Sequence, residues 1–281
     1  MEKKVYLNGK IIPISKATVS VADQGFLHGI STFTTMLAKN GAVVGFDYHL
    51  KRISETVKML GLQVDVTSGE LIKAAYDVLD ANKLTDARMR ITLTPGTGKD
   101  DSTVLVTAEA LAPVNQDFYK HGIKAIVSSF KQTPGDPVYG FKTGCYLTRI
   151  LARQEAAAKN ADDAIWFTTD NLLAEACFAN IFLVNNGMVL TPPRQTPVLP
   201  GFVRQCVLDI CHELDIPVED NTPLDINDLL AAEEVFFTGS CAGIVPVRQV
   251  EQHVVGSGEP GGITKKIRDR YLAKLEEISR E

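Results

Sequence analysis

The stretch FKTGCYLTRI, Phe141 to Ile150, sets Lys142 directly before three small residues, Thr143, Gly144 and Cys145. Taken alone, Lys142 reads as a solvated surface lysine, because lysines are rarely buried without a partner. Its neighbours open a second reading. A loop, TPGDPVYG, leads into it, and the small groups after it would let a flat ligand approach the amine. Further on, Glu175 interrupts the apolar run of LLAEACFANIFLV, and Asn180 opens the strand that follows. The plain alternative there is a turn glutamate ahead of a hairpin at Asn185-Asn186-Gly187. In VLPGFVRQCVLDICHELDI, Pro200 and Gly201 stand at the mouth of a helix. Its first-turn amides and positive dipole end could hold an anion, although a Pro-Gly start is also common without one. FFTGSCAGIVPV leaves a strand through Gly239, Ser240, Cys241, Ala242 and Gly243, small residues able to present consecutive amides to another anion. Arg52, in FDYHLKRI, falls on the polar face of a helix, where a solvated charge is the simple reading.

The elements that must position these groups follow from periodicity. Val5–Leu7, Thr32–Leu37 and Val43–Phe46 read as strands, the last two separated by AKNGA, whose Asn40-Gly41 signals a hairpin. From Asp47, a good N-cap, Leu50, Ile53, Val57 and Leu60 recur at helical spacing until Gly61. A second helix follows Thr67, which with Glu70 forms a capping-box pattern and buries Leu71, Ala75, Val78 and Leu79. Strands Met89–Thr94 and Val104–Ala108 flank the turn PGTGKDD. In the second half, strands are expected over Ala125–Ser129, Ala164–Thr168, Ile181–Val184, Val189–Thr191 and Val235–Phe237. Helices are expected over Tyr146–Lys159, Phe202–Leu214 and Ile263–Ile278, the last with Ile263, Ile267, Tyr271, Leu275 and Ile278 along one stripe.

With 281 residues the chain exceeds the usual size of one domain. Periodicity lapses in LAPVNQDFYKHG, so the chain reads as a small N-terminal α/β domain over 1–113, a linker over 114–122 and a larger C-terminal domain over 123–281. The fold class is α/β (α+β), with mixed sheets and flanking helices in both domains. Composition is 45% hydrophobic and 22% charged, which argues against disorder and low complexity. The net charge is −5 without any block of like charge, so neither nucleic acid nor an anionic membrane has an electrostatic footprint. No run approaches a bilayer span, MEKKVYLNGK offers no signal-peptide core, and the five cysteines lack paired spacing. A reduced, cytoplasmic protein is expected. The five histidines show no ligand spacing, so no metal is expected.

From YLNGKIIP through VADQGFLHGISTF, FDYHLKRI, FKTGCYL, EACFANIF, LTPP, VLPGFVRQ and TGSCAGIVPV to PGGITKKI, order and spacing together are specific. The chain resembles the class IV aminotransferase family. These are the fold type IV pyridoxal-phosphate enzymes that include branched-chain aminotransferases, D-amino acid aminotransferases and aminodeoxychorismate lyase. The resemblance implies pyridoxal 5'-phosphate as cofactor, bound in the larger domain, and Lys142 as the amine that joins its aldehyde and later moves a proton from substrate Cα. It implies that Glu175 pairs with the pyridine nitrogen and that Tyr146 bonds the phenolic oxygen. The phosphate would lie on Arg52, the amides of Phe202 and Val203, and Ser240. Cys241 and Ala242 would present amides to the substrate carboxylate, with Phe33 and Arg90 also lining the substrate position. The family further implies a homodimer whose partners are small-molecule amino acid and oxo acid substrates.

Several positions depart from the family's pattern. Members commonly have asparagine at Cys145 and threonine at Val203, and aminotransferases usually carry glutamate at Thr34. A threonine at Thr35 is closer to aminodeoxychorismate lyase, where it lies by the cofactor and helps protonate the departing fragment. Against that, Asp100 with only Lys99 nearby replaces the lyase's arginine, and Arg90 and the tail PGGITKKIRDRYLAKL match branched-chain aminotransferases. The D-amino acid enzymes' arginine and histidine are missing from Pro95–Lys99. The expected activity is amino-group transfer between an amino acid, of branched-chain type, and a 2-oxo acid. Pyruvate elimination from aminodeoxychorismate stands second, and a cofactor-free binding protein on the same fold third.

Overall fold

Asn40 and Gly41 both take positive φ, 52° and 80°, the backbone that a tight two-residue hairpin turn requires. They close the antiparallel pair Lys39↔Ala42. The computed structural model that shows this describes residues 2–98, 101–113 and 115–278. Contacts divide it into two units, Met1–Ala112 with Lys142–Cys145 and Leu275–Glu281, and Pro113–Phe141 with Tyr146–Lys274.

The first unit is built on β1 (Lys4–Leu7), β2 (Lys10–Pro13), α1 (Gln24–His28), β3 (Thr32–Lys39), β4 (Ala42–Val43), α2 (Phe46–Met59), α3 (Ser68–Asn82), β5 (Ala87–Thr94) and β6 (Thr103–Ala110). Its strands form one antiparallel sheet in the order β2-β1-β6-β5-β3-β4. Leu50 and Ile53 of α2 and Leu71, Ala74, Ala75, Val78 and Leu79 of α3 pack with Met36, Ala38, Met89, Ile91, Val106 and Ala108 of the sheet. Burying each large apolar side chain there contributes about 2 kcal/mol. Thr67 and Glu70 form the capping box expected of them. The strand expected over Val43–Phe46 ends at Val43 instead. Gly45 adopts a left-handed conformation, φ 63°, that turns the chain straight into α2, so Asp47 lies in the first turn and is not the N-cap. Lys99 and Asp100 lie outside the described residues.

The second unit contains α4 (Gln116–His121), β7 (Ile123–Gln132), α5 (Leu147–Ala158), β8 (Asp163–Thr168), β9 (Leu173–Ala176), β10 (Asn180–Asn185), β11 (Met188–Leu190), α6 (Phe202–Glu213), β12 (Val218–Glu219), α7 (Ile226–Ala231), β13 (Glu234–Gly239), β14 (Gly243–Val250), β15 (His253–Val254) and α8 (Gly262–Glu276), whose last residues belong to the first unit. Its sheet runs β12-β11-β10-β13-β14-β7-β8-β9, with β15 on β14. Strand β9 also meets β10 through Asn180↔Glu175, so the sheet closes on itself. Among the described residues, several sets of buried side chains pack in the interior. Ile165, Leu183, Val235 and Val247 are among one, and Trp166 with Ala152 and Ala156 of α5 among another. Phe182 and Phe236 stack across β10 and β13 at 4.9 Å.

Three sequence readings differ from this unit. LAPVNQDFYKHG holds the short helix α4, started by the Asn115 side chain on Asp117 N–H, because Asn115 offers a cap that periodicity does not register. Glu175 is on a strand and not in a turn, since β9 is buried along its whole length and tolerates a carboxylate only where partners surround it. Tyr146 is the N-cap of α5 and not its first residue.

Candidate active site

In the first unit the backbone of Lys142 is tied to the beginning of β3. Its carbonyl oxygen accepts from the Phe33 N–H at 3.0 Å and from the Thr32 hydroxyl at 3.0 Å, and Thr143 pairs with Thr32 as an isolated bridge. Gly144 allows the approach, because a Cβ there would stand 2.1 Å from Ser31 Oγ. The Lys142 side chain is half-buried, with Nζ 4.9 Å from the centre of the Phe33 ring. Arg90 lies over the same ring at 3.5 Å, and its Nε donates to Thr92 Oγ1. Register places Thr35 across from Arg90. Phe33, Thr35, Arg90 and Lys142 are thus grouped around the start of β3.

Alternation along β3 sends Thr34 to the opposite face, toward α2. There Arg52 Nη2 donates to Thr34 Oγ1 at 3.0 Å and approaches His49 Nδ1 at 3.2 Å, while Thr34 Oγ1 and His49 Nδ1 are 2.8 Å apart. Arg52 is therefore not the solvated charge that its sequence context suggests: it is 7% exposed. The signal was present, since His49, Arg52 and Thr56 recur at helical spacing beside Leu50 and Ile53, and all are buried. Burial, then Arg52 and Lys142, push the His49 pKa down to about 3. Because arginine can only donate, Nδ1 acts as the acceptor, which fits a neutral imidazole carrying its proton on Nε2.

The second unit holds the carboxylate. Glu175 is 3% exposed and takes donors on both oxygens. Oε1 accepts from Arg149 Nη2 at 2.6 Å and Gln132 Nε2 at 3.1 Å; Oε2 accepts from the Leu199 N–H at 3.0 Å and, weakly, from Asn180 Nδ2 at 3.5 Å. The stronger bond of Asn180 Nδ2 goes to Leu199 O at 2.8 Å. Tyr146 stacks on Phe178 at 5.5 Å. Gly201, the N-cap of α6, supplies no side-chain bond to the first turn, where Phe202 and Val203 begin the helix, and a Cβ on it would meet Asn180 Oδ1 at 2.1 Å. Ser240, Cys241 and Ala242 are the half-buried tip of the β13–β14 hairpin, closed by the pair Gly239↔Gly243. The Ala242 carbonyl accepts from the Tyr119 hydroxyl at 2.7 Å. Arg149, Gln132 and His49 are not singled out by the sequence, and Thr34 is marked there only as a departure from the family's glutamate. Arg149 had a legible signal, because it shares a helical stripe with Ala152 and Ala156.

Residues 31–250 match the model of the family described as amino-transferase class IV. The chain belongs to the class IV aminotransferase family. This class IV aminotransferase is 32% identical over 277 residues, 95% of each chain, to a putative branched-chain-amino-acid aminotransferase of Methanocaldococcus jannaschii. It is 25% identical over 287 residues, 99% of this chain and 96% of the other, to the aminodeoxychorismate lyase of Bacillus subtilis. The branched-chain amino acid aminotransferase of Thermoproteus uzoniensis, solved with norvaline, superposes with a TM-score of 0.88 at 29% identity, covering 98% of this chain and 95% of that one. The likeness thus extends along both units of this class IV aminotransferase, and the mixed α/β architecture read from the sequence is the family's fold.

Proposed function

We propose that the protein is a pyridoxal 5'-phosphate-dependent aminotransferase that moves an amino group between an amino acid, of branched-chain type, and a 2-oxo acid. The observation that carries this reading is the buried Glu175 carboxylate. Three of its acceptor positions are held firmly, and the fourth meets only Asn180 at 3.5 Å, which leaves a direction on Oε2 for one further N–H donor. A pyridinium is such a donor. The rest of the set fits the same group. The start of α6 and the Ser240 hairpin offer amides suited to a phosphate, and Arg52 offers a fixed guanidinium for it. Bound cofactor supplies a ring that takes up the electron pair released when the substrate Cα–H bond breaks.

The chain's own residues then divide the work. Lys142 is the amine for the cofactor aldehyde, and once freed it carries the proton from Cα. Its carbonyl bonds to Phe33 and Thr32 fix the backbone from which it reaches. Glu175 keeps the ring nitrogen protonated, and Tyr146 donates toward the phenolic oxygen. Neutral His49 and Thr34 orient Arg52. Arg90 and Phe33, packed on each other, would line the substrate side, and Cys241 and Ala242 would present amides to its carboxylate. Purified protein saturated with cofactor should change its absorption from the aldehyde to the amine form when amino acids are added one at a time. A panel in which every amino acid leaves the spectrum unchanged would sink the reading. Lys142→Ala should abolish the band that borohydride fixes to the protein.

Thr35 and the resemblance to the Bacillus subtilis lyase favour a second reading, elimination of pyruvate from aminodeoxychorismate. That reading predicts p-aminobenzoate without any acceptor oxo acid, and a fully active Thr35→Ala variant would remove its support. Two copies per active molecule belong to the same proposal. Val21, Phe26 and Leu147 are 78%, 72% and 69% exposed, which leaves large apolar groups for a second copy to cover. A cytoplasmic location is supported by five cysteines that are all free. Among the described residues no helix is long and apolar enough to cross a membrane.

A further inference from the structure

Arg149 projects from the inner face of α5, in line with Ala152 and Ala156, both fully buried. Its guanidinium is held by three acceptors. Nη2 donates to Glu175 Oε1 at 2.6 Å, Nη1 donates to the carbonyl oxygens of Ala176 at 3.1 Å and Cys177 at 3.0 Å, and the group stands 5.3 Å from the centre of the Trp166 ring. Other groups near the pair come from several elements. Tyr146 and Cys177 interact electrostatically with Arg149, Tyr139 lies within its field, and Gln132 of β7 and Asn180 of β10 face the carboxylate. Burial acts to lower the Arg149 pKa, but Glu175 and Tyr146 outweigh it, so the guanidinium holds its proton more firmly than usual. The cation is permanent.

We propose that Arg149 is a positioning residue that weakens the hold of Glu175 on the ring-nitrogen proton of the bound cofactor. The inference rests on the reading that Glu175 meets the pyridine nitrogen. An isolated buried carboxylate would act as a full counter-ion to a pyridinium. A carboxylate already paired at 2.6 Å presents nearly the field of a neutral pair, so the ring N–H keeps its hydrogen bond while its positive charge is less stabilised. The one bond made or broken in this equilibrium is the ring N–H, whose electron pair stays on nitrogen when the proton leaves. The proton passes between ring nitrogen and solvent, and Arg149 sets the pH at which it does so.

The test uses pyridoxal 5'-phosphate labelled with nitrogen-15 in the ring, bound to the full chain, with the ring-nitrogen chemical shift followed against pH. In R149M the midpoint of ring-nitrogen protonation should rise by about one pH unit or more relative to the unaltered protein. R149K, which keeps the charge, should stay near the unaltered midpoint. Should R149M not fold, R149Q keeps N–H donors for the two carbonyl oxygens without the charge and must show the same rise. A merely structural Arg149 would lower the melting temperature and leave the midpoint where it was. Coinciding midpoints, or a fall, overturn the proposal. If the unaltered protein takes up no labelled cofactor, the underlying reading of Glu175 fails instead.

Discussion

At the scale of single residues, Arg52 in one unit and Glu175 in the other are buried and held by side-chain partners. His49 is one such partner. Its pKa of about 3 in the folded chain lies below the ordinary 6.5, so between those values the unfolded chain binds a proton that the native chain refuses. Stability should therefore fall as pH drops through that window, by about 1.4 kcal/mol per unit from this group. His49→Gln keeps an acceptor for Arg52 but cannot titrate. Urea midpoints compared at pH 6.5 and 5.5 should show a smaller loss for the variant; equal losses would refute the assignment. Much of the candidate site was legible residue by residue. Lys142 and Glu175 stand out because small or apolar neighbours surround them. His49 does not, since its imidazole gains meaning only when β3 and α2 set it 2.8 Å from the Thr34 hydroxyl.

At the scale of elements, turns and caps read well and strands with unusual partners read poorly. Asn40-Gly41 and the Thr67–Glu70 box announce themselves, because a local backbone requirement selects those residue types. Strand β9 does not, since its four residues gain identity only from β8 on one side and the single pair with β10 on the other. Strand β14 was unread for a related reason. Pro246 argues against a central strand by its missing N–H, yet it sits in register with Phe236 within the sheet. The junction before α6 should be the element most sensitive to a small change. Gly201→Ala would press its Cβ onto Asn180 and disturb the Asn180–Leu199 bond beside Glu175. The expected outcome is about tenfold weaker cofactor binding, roughly the worth of one lost buried hydrogen bond. A titration of the unliganded variant with pyridoxal 5'-phosphate measures it, and unchanged affinity would separate this glycine from the anion site.

At the scale of the molecule, burial sorts four of the five thiols. Desolvation pushes Cys177 and Cys206 up to about 12 and Cys211 up to about 11, whereas Cys145 is exposed. Native protein at pH 8 should therefore react quickly with a thiol reagent at Cys145 and not at those three, as peptide mapping would reveal. Rapid modification of Cys177 would contradict the packing around Trp166. Association is read by light scattering on the eluted protein. A dimer is expected, and Phe26→Asp should shift it toward monomer if α1 contributes to the contact.

Lys142–Cys145 belong to the first unit although the chain on either side of them belongs to the second. A gene divided after residue 112 would thus part Lys142, the amine proposed to meet the cofactor, from the unit it packs with. The leading fragment would keep the threonine and phenylalanine that anchor it, and the trailing fragment would keep the amine without its anchor. Neither piece by itself should become covalently labelled with the vitamin B6 aldehyde at stoichiometric ratios; mixing the two should restore the label. Efficient labelling of the trailing piece in isolation would show that the tether to the opening of β3 is dispensable.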